Sequence, residues 1–183
     1  MIQHKLVWKG IEYNSIERCL LTIDNGGNEI SSRISGIYND QTYEIEYLIR
    51  TSARWNVTLF ELKARVSGNS SFYQYESDGI GNWKKDGSMV PAYKDCLDID
   101  IPLTPFTNTL PINRLQLMVN ESKAIKVLYL DVLSEEIKVL SQKYTRLSSN
   151  EYLYENVPND FEAKVTVDES GFVLDYPGLF MRA

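Results

Sequence analysis

The chain has 183 residues, a formal net charge of −6 and one histidine. That length suits one domain over 1–183, and such a fold buries roughly 70% of its unfolded surface without a metal or disulfide staple. An acidic chain gains nothing from counterion release on nucleic acid and is repelled by anionic lipid, so neither partner is expected.

The start, "MIQHKLVWKG", lacks the apolar core of a signal peptide. No stretch approaches the ~20 apolar residues of a membrane span. The expectation is a cytoplasmic protein with no stable membrane insertion. His4 stands alone and no Cys-x-x-Cys spacing exists, so no metal site and no cofactor are expected. Cys19 and Cys96 are expected to be buried free thiols, as suits a reducing compartment.

The first patterned stretch is "IERCLLTI". As a strand it puts Ile16 and Leu20 on one face and Cys19, Leu21 and Ile23 on the other. Two apolar faces predict cover on both sides. Glu17 and Arg18 lie in the same strand and point to opposite faces. A buried charge there needs a partner or a polar ligand, and Arg18 with Asp98 or Asp100 is the expected pairing. "DNGGN", "YND", "SGNS" and "KDG" then read as turns. Between them, segment 42–49 alternates cleanly, with Tyr43, Ile45, Tyr47 and Ile49 sharing one face. In "SDGIGNWKKDG" the glycines lack the strand–loop–helix setting and the Gly-Lys-Ser/Thr ending of a phosphate loop. A glycine-bent hairpin carrying Trp83 fits better. Trp83 either packs in the core or stacks on a ligand.

"CLDIDIPLTPFTNTLPINRL", residues 96–115, needs its own account. As a strand it puts Asp98 and Asp100 on one face, about 7 Å apart. Two such carboxylates serve a polar ligand, act as the acid and base of a glycosidase, or simply face solvent or pair with arginines. Pro102, Pro105 and Pro111 then break the ladder. The excursion is a stiff corner or the wall of a pocket. It holds one short helical turn, with Thr109 as N-cap and Pro111 early in it. Arg114 is a further candidate for a carboxylate or a ligand head group.

"AIKVLYLDVL" is again apolar on both faces, "SEEIKVLSQKY" reads as strand, and 161–168 alternates. "DESG" and "YPGL" add reversals. The sum is an all-β protein of about twelve to fourteen short strands in a large antiparallel, strongly curved sheet or barrel-like fold. So large a sheet needs a plug inside it, or else encloses an apolar cavity.

The order "IERC", "DGIGNW", "CLDIDIPLTPFTNTLPINRL" and "DYPGLFMR" resembles the bacterial putative glycolipid-binding family over residues 7–182. The resemblance implies an all-β sheet around a hydrophobic cavity, similar in outline to the periplasmic lipoprotein carriers. It also implies a lipid or glycolipid ligand. The family favours an arginine where this chain has Asn113, so any anion contact there is reduced. On this basis the ligand-binding residues are Arg18, Trp83, Asp98, Asp100, Asn108 and Arg114, and none is assigned to catalysis. The other readings are an enzyme acting on a glycosyl or lipid-like substrate through Asp98 and Asp100, and a structural interaction module.

Overall fold

Alternating side chains and tight turns build the first half of the molecule. In the computed structural model, which describes residues 1–183, it comprises β1 (Ile2–Gly10), β2 (Ser15–Asp24), β3 (Gly27–Tyr38), β4 (Gln41–Ser52), β5 (Val57–Val66), β6 (Asn69–Ser77), β7 (Trp83–Lys85) and β8 (Ser88–Met89). A 3-10 turn at Pro91–Tyr93 leads to β9 (Asp98–Asp100) and the helix α1 (Phe106–Leu115). The second half is β10 (Ser122–Asp131), β11 (Glu136–Arg146), β12 (Glu151–Val157), β13 (Glu162–Val167), β14 (Val173–Tyr176) and β15 (Phe180–Arg182).

All fifteen strands form one sheet, in the order β8-β7-β6-β5-β4-β3-β2-β1-β15-β14-β13-β12-β11-β10-β9. Neighbours are antiparallel except β9 and β10, which are parallel. The chain is thus two meanders joined by its own ends, with Trp8 opposite Arg182 and Gly10 opposite Phe180. The expected turns do this work. Asn39-Asp40, Ser67-Gly68 and Asp86-Gly87 each hold both central residues at positive φ. That is the type I′ geometry whose twist matches paired strands. In "DNGGN", Asp24 Oδ1 accepts from the backbone N–H groups of Gly26 and Gly27.

The expected count falls just short of the fifteen strands found, and the sheet curves without closing. Its ladder stops at the two-residue β8 and at β9, which Pro102 follows. Proline offers no N–H to continue it. Other contacts hold the two ends together. The Asp95 amide donates to Gly81 O at 2.9 Å and the Val57 amide to Leu97 O at 3.4 Å. The Trp83 indole N–H donates to Cys96 O at 2.8 Å.

Burial follows the alternation. Tyr43, Ile45, Tyr47 and Ile49 are all buried, and Thr42, Glu44 and Glu46 are exposed. The inner face of β1–β7 forms one core with Ile99, Leu128 and Leu130, and with Phe106 and Leu110 of α1. A second core joins Ile112 to Tyr144, Tyr152, Val165 and Phe180. From Val127 onward β10 is therefore buried on both faces, as its sequence predicts, and its first half is mostly exposed. Val127 faces the helix side with Asp98, its register partner, and Leu128 faces the first core with Ile99. β2 differs. Its outer face has no covering layer, and Ile16 and Leu20 are half-buried. Long charged side chains flank them, and their methylene stems cover apolar surface. Segment 101–115 fills the concave side, so a plug stands where an apolar cavity was the alternative. Cys19 and Cys96 are buried and unpaired.

Gly81 sits at the tie between the two ends, at φ +94°, and a Cβ there would lie 2.9 Å from Asp95 Cα. Gly81→Ala is expected to destabilise the fold by about 1–3 kcal/mol. Urea unfolding followed by circular dichroism measures this. An unchanged midpoint would show that the ends are not held there.

Candidate functional site

The stretch 96–115 is a strand, a tight turn and a helix that doubles back along the strand. Asp98 and Asp100 share one face of β9, and both reach α1. Arg114, in the last turn, donates from Nε to Asp98 Oδ1 at 3.0 Å and from Nη2 to Oδ2 at 2.5 Å. Asp98 is fully buried, and the Arg114 side chain is only 11% exposed. Burial lifts the Asp98 carboxyl above its ordinary range, and the guanidinium partly offsets that. Toward the start of the helix, Thr107 Oγ1 donates to Asp100 Oδ1 at 3.1 Å. From β11, Gln142 Nε2 donates to Asp100 Oδ2 at 2.6 Å. Burial raises the Asp100 carboxyl too, again partly offset by its donors.

The helix is longer than the expected single turn. Pro105 occupies its N-cap position, Thr109 lies in its interior and Pro111 sits inside it. Thr104 Oγ1 takes over capping by accepting from the Phe106 amide at 3.0 Å. Burial of Phe106 and Leu110, each contributing about 1.5–3 kcal/mol, offsets the break that Pro111 makes in the ladder.

Asp100 and Asn108 open onto a cleft of about 530 Å³. Its walls come from β10–β12, the loops at 11–14 and 158–161, β14 and the start of β15. Aromatic rings line it: Tyr13, Tyr129, Tyr154, Phe161, Tyr176 and Phe180. Five of these make a continuous wall. Neighbouring ring centroids are 6.0 Å apart for Tyr154 and Phe161, 6.2 Å for Tyr154 and Tyr176, 6.3 Å for Tyr176 and Phe180, and 5.9 Å for Tyr13 and Phe180. Asn108 is fixed in place. Its Oδ1 accepts from the Tyr144 hydroxyl at 2.9 Å, and its Nδ2 donates to Pro105 O at 3.4 Å. The size and the mix of apolar walls with a few placed polar groups are those of a small-molecule site.

The structure thus brings together Asp98, Asp100, Asn108 and Arg114, and places Arg18 and Trp83 elsewhere. Arg18 is exposed on the outer face of β2. There it borders a shallow groove of about 620 Å³ with Val7, Leu20 and Leu48. The expected Arg18–aspartate pair does not form, because alternation turns Arg18 away from the concave side and Arg114 already holds Asp98. Trp83 is fully buried, with its indole tied to Cys96 O. An acid–base pair also lacks its geometry, since Asp98 is sealed beneath Arg114 and only Asp100 meets the cleft. Asn113 makes no ligand-facing contact, as its amide donates to Thr109 O and Ser170 O, each at 3.2 Å. The aromatic wall and Gln142 were not picked out from the sequence. The available signal was tyrosine abundance, 12 in 183 residues.

Glu17 meets neither a charged partner nor the cleft, the two outcomes expected of a buried charge in this strand. It is 2% exposed in the first core and has no cationic partner. Ser32 and Tyr47 hydroxyls donate to its Oε1 at 2.7 and 2.6 Å, and Oε2 has no hydrogen-bond partner. Burial pushes its pKa up to about 7, against the pull of these hydroxyl donors. With no arginine beside it, burial favours the protonated form of this acid, and the hydroxyl donors favour the ionised one.

With that geometry in view, the sequence profile of a family described as putative glycolipid-binding matches residues 5–182. The chain belongs to this family. It is also similar to a DUF1089 family protein from Pseudomonas aeruginosa of known crystal structure. The two are 35% identical, the match covers 93% of this chain and 92% of that one, and the TM-score is 0.85. No curated protein matches. No helix is long and apolar enough to cross a membrane.

Arg114→Met is expected to cost about 3–5 kcal/mol, because it leaves Asp98 buried and unpaired. Adding Asp98→Asn should restore much of that loss. Urea titrations of the single and double variants check both, and equal stability of wild type and Arg114→Met would refute the pairing. Glu17 sets a pH dependence. Its folded pKa lies above its unfolded value of 4.5, so the fold holds the proton more tightly than the unfolded chain. Its contribution is complete below pH ~4.5 and is lost as pH rises to about 7, a change of about 3 kcal/mol. Glu17→Gln should remove that slope, measured as unfolding midpoints from pH 4.5 to 8.

Proposed function

We propose that the protein binds a glycolipid, taking the sugar head group into the aromatic cleft beside Asp100 and Asn108. One observation carries this reading: a continuous wall of five rings faces placed hydrogen-bonding groups in a cleft of about 530 Å³. Sugar rings present C–H faces that pack on aromatic rings and hydroxyls that pair with carboxylate and amide groups. Asp98 and Arg114 act as positioning residues, holding α1 so that Asn108 and Asp100 face the cleft. The acyl chains leave across the rim. There Phe161 is 39% exposed and Val157 46% exposed, which gives apolar surface outside the head-group site. The interior behind the cleft is packed by α1, so the lipid tail lies outside the sheet.

n-Octyl β-D-glucoside, kept below its micelle threshold, is expected to bind saturably with one site per chain. Phe161→Ala should weaken it about tenfold, or ~1.4 kcal/mol. Its thermal midpoint should hardly move, because Phe161 is partly exposed. Isothermal titration reads the affinity. No saturable binding, or equal binding by Phe161→Ala, would overturn the proposal.

A further inference from the structure

The contrast between the two aspartates says more about the ligand. Asp98 has its own arginine. Asp100 is in no ion pair, and its two hydrogen bonds come from neutral donors, Gln142 and Thr107. An ionised carboxylate has about four lone-pair sites across its two oxygens, so Asp100 keeps capacity on the side facing the cleft.

The surroundings share its sign. Glu12 and Asp160 also line the cleft, against one cation, Lys138. Lys138 is already engaged, with Nζ 2.7 Å from Glu136 Oε2 and 5.5 Å from the Tyr129 ring centre. The aromatic faces add to this, since ring faces carry negative potential and attract cations. The hydroxyls of Tyr129, Tyr154 and Tyr176 are held above their usual range, by burial first, with the Asp100 charge adding to it. These tyrosines therefore stay neutral, and Tyr129, with Lys138 over one side of its ring, has the other side left to a ligand. A metal ion is a poor fit, because Glu12, Asp100 and Asp160 line the cleft without forming a group of side chains placed to hold one.

Resting on the glycolipid reading above, we infer that the head group is cationic, with an amino or ammonium group seated against Asp100 and ringed by Tyr129, Tyr154 and Tyr176. A neutral sugar hydroxyl would give Asp100 a third neutral donor and leave its charge uncompensated. An ammonium compensates it, and the tyrosine faces replace the water that the cation gives up. The cation belongs to an amino sugar on this reading. A choline-type head group would present the same charge.

Isothermal titration of the full chain separates these cases, using four probes below their micelle thresholds. They are n-octyl 2-amino-2-deoxy-β-D-glucoside, its N-acetyl derivative, n-octyl β-D-glucoside and dodecylphosphocholine. The amino glycoside is expected to bind at least about tenfold tighter than its neutral counterparts. Asp100→Asn should abolish that preference. If Asp100→Asn fails to fold, Tyr129→Leu provides the second readout, and it should weaken the amino glycoside more than the N-acetyl form. Equal or tighter binding of the N-acetyl or plain glucoside overturns the cationic head group and leaves the glycolipid reading standing. Binding of dodecylphosphocholine alone, lost in Asp100→Asn, supports the cationic site and overturns the sugar. No binding of any probe at millimolar concentration overturns both.

Discussion

The buried pair between Asp98 and Arg114 sets where the helix lies, and much of the interior follows from that. A charge as deeply buried as Asp98 is costly alone. Meeting that charge draws the last turn of α1 onto β9. Thr107 and Asp100 fix the other end. With both ends held, Phe106 and Leu110 enter the first core and Ile112 the second. One ten-residue helix thereby plugs a fifteen-stranded sheet whose own side chains do not fill its concave side.

The same arrangement makes the cleft. Holding α1 by Asp98 leaves Asp100 as the boundary between the packed helix and open space. One side of its carboxylate serves the fold, and the other faces the aromatic wall. Asn108, one residue beyond Thr107, is turned toward that space and locked by Tyr144. The wall comes from elements far away in sequence, the 11–14 loop and β12–β15. They meet because β15 pairs with β1 and closes one meander onto the other. Two buried acids thus meet their solvation needs in different ways. Asp98 uses an arginine, and Glu17 uses two hydroxyl donors and a pKa raised by burial. Asp100 has neither solution complete, and it is the one of the three that lines the cleft.

The strand pattern was legible because alternation is local. Tyr43 to Ile49 and the I′ turns at 39–40, 67–68 and 86–87 follow from side-chain period and from residues that tolerate positive φ. "SEEIKVLSQKY" is strand, as read, because Ile137, Val139, Leu140 and Tyr144 make no helical stripe. The helix was read too short because Thr109 and Pro111 resemble a helix start, and the burial of Phe106 and Leu110 that begins it earlier is long-range. Arg18 was placed on the wrong face for pairing. Its face follows from whether Glu17 or Arg18 points inward, and the strand's pattern is apolar on both sides.

Sequence by itself therefore determined the all-β class, several hairpin registers through their turns, and the identity of 96–115 as the special segment. Those properties depend on neighbours a few residues apart. Only the tertiary structure decided which arginine meets Asp98, that Trp83 is core, and that tyrosines from several distant strands and loops face Asp100. Each of these is set by which strands become neighbours across the sheet and how it curves around α1, and no local period encodes that.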